Sequence, residues 1–202
     1  MADEKQAEKS AEPDVKKLRQ QAKAGSLRAQ FLLGVALAAE SNPKEAAKWY
    51  RKAAKRDFPP AMNNLAALLA GGAFGKPNLK EAVKWYTRAA ELGYGLAQFN
   101  LARHSQTGEG VAADEAEAFA WFQKAAEQEL AAAQNNLGVF HSVGRGVEAD
   151  EAQAVGWFRK AVEQGQLQAQ YNLAVRLRDG RGAEADAAGA RELFGKVAEA
   201  GV

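Results

Sequence analysis

Apolar residues recur along this chain at steps of three and four, the spacing of a helix with one buried face. One such stretch begins at Ala133 and Leu137, and the glycine-bearing turn Gly144-Arg145-Gly146-Val147 separates it from a second. No stretch alternates apolar and polar residues between hairpin turns, as a strand would. The pattern predicts an all-α chain of paired helices, which we call helix A and helix B of each pair.

The helix pairs repeat every 36 residues. Tryptophans mark the period, and a leucine column repeats in step with them: Trp49, Trp85, Trp121 and Trp157; Leu65, Leu101, Leu137 and Leu173. Stacked helical hairpins cover one another's apolar faces, so the repeats predict a right-handed α/α solenoid with a concave surface lined by the A helices. The predicted segments are a disordered charged tail (1–13), a half-repeat helix (14–25) and five repeats (26–57, 58–93, 94–129, 130–165 and 166–201).

Capping signals predict where the B helices begin. Asn78 with Glu81, Asp114 with Glu117, and Asp150 with Gln153 have the spacing of a capping box. In that motif each of the two side chains satisfies one unpaired backbone N–H.

The repeat carries three motifs, A-x-x-x-L-G/A, G-x-G-V-x-x-D and A-x-x-W-[FY]-x-[KR]-A-A, with the fullest match at residues 133–157. This pattern resembles the Sel-one-like repeat family, which is related to the tetratricopeptide repeats, and it covers residues 26–201. The resemblance implies an α/α solenoid that serves as an adaptor or scaffold in assembling complexes. In bacteria it also implies roles in effector immunity and host contact.

An asparagine precedes the packing leucine in four of the five A helices, at Asn64, Asn100, Asn136 and Asn172. Asparagine is a mediocre helix former, and its amide offers both a donor and an acceptor. In tetratricopeptides an asparagine at this site contacts peptide ligands in the concave groove, so the resemblance implies that role here. The alternative is that the amides bond to neighbouring repeats and hold them in register. The sequence leaves both open.

Three other side chains share that helix face. Phe99 and Tyr171 directly precede the asparagines of their repeats, and Arg103 lies one turn beyond Asn100. Arg103 could hold a carboxylate or phosphate of a partner. Together with the asparagines, these residues are the predicted binding site for a peptide or protein partner.

Two further columns are interpreted structurally. The tryptophans are predicted to form a core face. Basic residues on the B helices are expected to pair with acids three positions later: Arg88 with Glu91, Lys124 with Glu127, Lys160 with Glu163 and Lys196 with Glu199.

Composition narrows the function classes. Lys and Arg number 27 against 25 Asp and Glu, a net charge of +2, which gives no reason to expect a nucleic-acid or acidic-membrane partner. There is no cysteine, and the histidines His104 and His141 fall in different repeat columns without metal-ligand spacing. We therefore expect no metal, no cofactor and no catalysis; a packing role suits His141. A hydrolase acting on cell-wall or antibiotic substrates is the disfavoured enzymatic alternative.

The termini supply the remaining expectations. The N-terminus has no apolar segment typical of a signal peptide, which indicates a cytoplasmic protein, or a periplasmic one whose signal has been removed. The last repeat has no polar capping helix, so Leu193, Phe194, Val197 and Ala198 are expected to be uncovered and to favour a homo-oligomer, a docked partner or a longer chain. The predicted function is a protein-binding scaffold; the alternative is an immunity protein that neutralises a secreted effector.

Overall fold

The computed structural model describes residues 15–201, and every regular element in that range is a helix. The helices are α1 (Val15–Lys23), α2 (Leu27–Ala39), α3 (Pro43–Ala54), α4 (Pro59–Ala70), α5 (Leu79–Glu91), α6 (Gly95–Thr107), α7 (Glu115–Glu127), α8 (Ala131–Val143), α9 (Glu151–Glu163), α10 (Leu167–Asp179) and α11 (Ala187–Glu199). The even-numbered helices are the A helices, and the odd-numbered helices from α3 onward are the B helices. Helix α1 is the half-repeat. The all-α repeat fold is confirmed, and the predicted tail 1–13 lies outside the described residues.

The helices form two compact units. Unit 1 ends at Leu92 and contains α1 to α5, and unit 2 begins at Gly93 and contains α6 to α11. Within each unit an A helix packs against the B helix that follows it, and a B helix packs against the next A helix. This order of packing is the one that stacked helical hairpins require.

Large apolar side chains fill the core between neighbouring helices. In unit 2, Phe122 and Phe140 are fully buried, with ring centroids 5.4 Å apart in an edge-to-face arrangement. In unit 1, Leu33 and Leu65 are buried completely. Burial of each such side chain stabilises the fold by about 1.5 to 3 kcal/mol.

The B helices begin at the predicted caps, with one difference from a full capping box. Asp114 Oδ1 accepts from the Glu117 N–H at 2.9 Å, and Asp150 Oδ1 accepts from the Gln153 N–H at 2.9 Å. The backbone N–H of Asp114 instead donates to the carbonyl of Ser105, which ends the preceding A helix, at 2.8 Å. The Glu117 carboxylate is thus released to accept from Ser105 Oγ at 3.0 Å. The cap therefore ties helix B to helix A of its own repeat.

Glycine is required where the turn of one repeat lies against the preceding B helix. Gly146 and Gly182 have positive φ angles of 61° and 71°. A Cβ atom at either position would collide with backbone, at the Glu115 carbonyl for Gly146 and the Glu151 carbonyl for Gly182. The second glycine of the G-x-G motif is thus required where these repeats stack.

The tryptophan column is packed, but its basic neighbours differ from the prediction. Lys52, Lys124 and Lys160 lie over the rings of Trp49, Trp121 and Trp157, at 4.1 to 4.2 Å from the ring centroids. Arg88 pairs with Asp57 of the preceding repeat at 2.6 Å, and Lys196 pairs with Glu192 at 2.7 Å. The predicted pairing with acids three residues later was therefore wrong. A cation over an indole face loses less hydration than one in a tight ion pair, and it gains about 0.5 to 1 kcal/mol at an exposed site.

The last B helix is less open than its sequence indicated. Val197 is buried at 8% exposure, Leu193 and Phe194 are half-buried, and Ala198 is exposed. Association of copies through this end stays a prediction.

Candidate functional site

The predicted asparagine column lies at one position of successive A helices, with each side chain half-buried. Asn64 lies on α4 in unit 1; Asn100, Asn136 and Asn172 lie on α6, α8 and α10 in unit 2. The amides of Asn64, Asn136 and Asn172 make different hydrogen bonds.

In unit 1, Asn64 is tied into its own neighbourhood. Its Nδ2 donates to the hydroxyl of Tyr50 at 3.3 Å, and its Oδ1 accepts from Asn63 Nδ2 at 3.2 Å. Burial raises the pKa of the Tyr50 hydroxyl, so this group remains a neutral partner for the amide.

In unit 2, Asn172 and Asn136 differ. Asn172 Nδ2 donates across repeats to Oδ1 of Asn135 on α8 at 2.9 Å, and Asn135 is only 7% exposed. Asn136 Nδ2 donates to the Ala132 carbonyl of its own helix at 2.7 Å. The amide of Asn172 therefore holds two repeats in register, whereas that of Asn136 makes no link between repeats.

The other predicted site residues also divide. Phe99 packs edge-to-face on the buried Phe122 with centroids 5.7 Å apart, so part of its ring belongs to the core. Tyr171 packs on Phe194 at 5.7 Å, yet 47% of its surface stays exposed. Arg103 is exposed on α6. Arg103 and Tyr171 are thus the members of the set that offer open surface.

Sequence reasoning missed a column of buried glutamines, Gln30, Gln98, Gln134 and Gln170. Gln134 is 4% exposed; its Nε2 donates to the Ala126 carbonyl of the preceding B helix at 3.4 Å, and its Oε1 accepts from Gln164 at 2.9 Å. Gln98 accepts from Gln128 in the same way at 2.8 Å. The signal was present, since Gln98, Gln134 and Gln170 are 36 residues apart and Gln128 and Gln164 follow 30 residues after their partners. The amides of Gln98 and Gln134 thus link the two helices of their own repeats.

The histidines are placed for packing and turn formation. His141 meets the Phe119 ring edge-on at 5.4 Å, in accord with the packing role expected of it, and burial lowers its pKa. His104 Nδ1 lies 2.8 Å from the Glu109 carbonyl in the following turn. Among residues 15–201, no group of three or more His, Cys, Asp and Glu side chains is placed to hold a metal ion.

Comparison with protein families decides the relationship. A family model of the Sel1 repeat matches five consecutive segments, 27–58, 59–94, 95–130, 131–166 and 167–202. The chain belongs to the Sel1 repeat family. The matched segments begin one residue after the boundaries expected from the sequence.

Solved structures agree with this assignment. A Sel1 repeat protein from Oxalobacter formigenes is 30% identical with a TM-score of 0.81; the match covers 87% of this chain and 72% of that one. A protective antigen of uropathogenic Escherichia coli with an SLR fold is 29% identical with a TM-score of 0.76, covering 94% of this chain and 49% of the antigen. This chain thus spans about half the length of that antigen.

A third structure shares the fold alone. An immunity protein from Pseudomonas aeruginosa is 20% identical with a TM-score of 0.57, covering 94% of this chain and 77% of that one. Among curated proteins, no sequence matches this chain. In the described part of the chain, no helix has the length and apolar character needed to cross a membrane.

Proposed function

We propose that this chain is a non-catalytic scaffold whose A-helix face in unit 2 binds an extended peptide or a protein loop. Sel1 repeat proteins are generally protein-interaction scaffolds, and the chain carries five Sel1 repeats. The proposal adds to that general role a surface and a set of contacts.

The observation that carries the proposal is the spare hydrogen-bonding capacity of Asn136. Its Nδ2 is satisfied within its own helix, and its Oδ1 accepts no bond from any described residue. An acceptor of this kind suits the backbone N–H of an extended peptide, which has no partner until it binds.

Arg103 and Tyr171 extend this surface toward either side of α8. Arg103 on α6 supplies a guanidinium for a carboxylate of the partner, and Tyr171 on α10 supplies an exposed ring with a hydroxyl. Because helical packing fixes the backbones that carry these groups, binding orders little of the protein, and less of the interaction free energy is lost.

Site-specific photo-crosslinking tests the proposal. A photoreactive amino acid replaces Val175, one helical turn beyond Asn172, and in a matched protein it replaces Arg159, an exposed residue of the B helix α9. We expect a partner to be captured at 175 and not at 159. The captured protein is then purified and its affinity measured for wild type, Arg103→Glu and Arg159→Glu.

A Kd raised about tenfold or more by Arg103→Glu, with Arg159→Glu unchanged, supports the A-helix face. Equal effects of the two variants, or capture at 159 alone, would overturn it. The identity of the partner also tests the narrower proposal of an immunity protein, because that role requires the captured protein to be a secreted effector whose toxicity is abolished on binding.

A further inference from the structure

The small net charge of the whole chain conceals a division between the units. Residues 15–92 carry fifteen Lys and Arg against five Asp and Glu, a net charge of +10. Residues 93–201 carry ten against fifteen, a net charge of −5. The net charge of the whole chain was therefore a poor guide to partners. Salt screens charges beyond about 8 to 10 Å at physiological ionic strength, so a partner responds to the charge of the unit that it contacts.

Much of the positive charge of unit 1 lies along α3 and its C-cap residue, Lys55. Lys44, Lys48, Arg51, Lys52 and Lys55 recur at helical steps of three and four, and we call them the basic stripe. The stripe runs from Lys44 to Lys55, eleven helical steps or about 16 Å at 1.5 Å per residue.

Few acids neutralise this stripe. Lys48 pairs with Glu45 at 3.0 Å and Arg51 approaches Glu81 at 3.6 Å, and both pairs are largely exposed. Exposed pairs of this kind are weak and exchange readily with other anions. The exposed Lys44 and Lys55 at the two ends have no ion-pair partner among the described residues.

Two grooves flank the stripe. One, of about 290 Å³, is lined by Lys48, Trp49, Lys52 and Lys55 with Glu45 and Arg51. The other, of about 280 Å³, lies between α3 and the loop that joins α4 to α5, and it is lined by Lys44, Ala47, Lys48, Arg51 and Phe74. Phe74 is 39% exposed and stands in the turn Ala73-Phe74-Gly75, where the other full repeats have a G-x-G motif. The second groove therefore combines positive charge with an aromatic ring.

We propose that the basic stripe binds an acidic segment of a partner protein, with an apolar side chain of that segment seated against Phe74. A stripe of about 16 Å matches roughly five residues of extended chain at 3.3 Å each. Grooves of this volume each suit one side chain. Carboxylates of the segment would face the ammonium groups of the lysines, whose charge is compact and whose stems are flexible.

The same observations disfavour a nucleic acid or a membrane. Single-stranded nucleic acids stack their bases on open aromatic faces, but Trp49 is 6% exposed and Lys52 lies over its ring at 4.2 Å. A membrane surface is best met by apolar groups that protrude beyond the cations, whereas Phe74 lines a groove against α3. An acidic peptide can place its carboxylates along the stripe and one apolar side chain against the Phe74 ring.

Fluorescence anisotropy with a defined probe tests the proposal. The probe is a labelled octapeptide of Glu and Asp with one central Leu, and the control peptide has Gln and Asn in place of the acids. At 50 mM salt we expect only the acidic peptide to bind. The variant Lys44→Glu/Lys55→Glu should weaken binding at least tenfold, and Phe74→Ser should weaken it severalfold without changing its dependence on salt.

The matched control is Arg159→Glu/Arg191→Glu, which makes the same change in net charge on exposed positions of α9 and α11 in unit 2. We expect it to leave the affinity within twofold, and melting curves confirm that each variant is folded. Equal loss with this control, equal binding of the neutral peptide, or no binding of the acidic peptide would overturn the proposal. So would tighter binding of a ten-nucleotide oligothymidylate, or of vesicles with 30% phosphatidylserine.

This inference relies on the proposed scaffold function only in taking the partner to be a protein. The basic stripe lies in unit 1, so Arg103→Glu in unit 2 should leave binding of the acidic octapeptide unchanged. The two experiments therefore distinguish a failure of the proposed A-helix face of unit 2 from a failure of the basic stripe of unit 1.

Discussion

The asparagine column offers a direct test of whether its members bind a partner or hold repeats together. Two of them have different hydrogen-bond partners. Asn172 makes a bond between repeats to the buried Asn135, whereas Asn136 bonds only to a carbonyl of its own helix. Single substitutions Asn172→Ala and Asn136→Ala should therefore differ in their effect on stability, although the residues occupy the same position of the repeat.

The magnitudes follow from what each substitution leaves behind. Asn172→Ala removes the donor to Asn135 Oδ1, and a buried acceptor left without a partner costs about 1 to 3 kcal/mol. Alanine regains about 0.5 kcal/mol of helix propensity relative to asparagine. The free energy of unfolding should thus fall by about 0.5 to 2.5 kcal/mol. Asn136→Ala exposes no buried group, so its effect should be zero or a gain of about 0.5 kcal/mol.

Urea denaturation followed by circular dichroism measures both variants, and a double-mutant cycle with Asn135→Ala isolates the bond between repeats. We expect a coupling energy between Asn135 and Asn172 of about 0.5 to 1.5 kcal/mol. Binding of the captured partner should show the opposite order, with the larger loss for Asn136→Ala. Equal unfolding midpoints for Asn172→Ala and Asn136→Ala, together with zero coupling, would refute the division of roles.

Three further outcomes are expected. Arg176 is 13% exposed, donates to Ser142 Oγ at 2.8 Å and lies over the Phe158 ring. Arg176→Ala should therefore lower the free energy of unfolding, measured by urea titration, by about 2 to 3 kcal/mol. Arg178 is exposed, so the control Arg178→Ala should change it by less than about 0.5 kcal/mol. Asp150→Ala removes the cap of α9 and should cost about 1 kcal/mol, most of which Asp150→Ser should restore. Burial lowers the pKa of His141, so the unfolded state binds a proton at this imidazole more readily than the folded state does. The contribution of His141 to stability is therefore complete above the unfolded pKa of about 6.5 and is lost as the pH falls below that value. His141→Phe should remove this dependence from urea midpoints measured between pH 7.5 and 5.

The fold was predictable because its determinants repeat. The capping residues, the turn glycines and the tryptophans all recur at the same interval. A match in one column could arise by chance, but agreement among several columns could not. The caps show the limit of this reasoning. The spacing of Asp114 and Glu117 predicted a reciprocal pair, but the Asp114 N–H found the Ser105 carbonyl of the neighbouring helix. Spacing along one helix contains no information on a competing acceptor from another helix.

The same limit explains why the charges were misassigned. Acids three residues after each basic side chain suggested neutral pairs, but the nearest surface to Lys124 and Lys160 is the tryptophan three positions earlier on the same helix. Arg88 reaches Asp57, which is 31 residues away in sequence and adjacent through repeat packing. Summing charge over the whole chain likewise concealed the excess in unit 1, because the sum carries no information on which helices lie together.

The asparagine column itself contained a signal that separates its roles. Across the repeat interface, Asn172 faces Asn135, the residue 37 positions earlier, whose side chain offers an acceptor. For Asn136 the residue 37 positions earlier is Phe99, whose ring packs on Phe122 and offers none, so the amide turns to the Ala132 carbonyl of its own helix. The register role therefore depends on the neighbour in the preceding repeat and not on the asparagine. Under the proposed function, the amide of unit 2 that is left to bind a partner is therefore that of Asn136, on the helix between those that carry Arg103 and Tyr171.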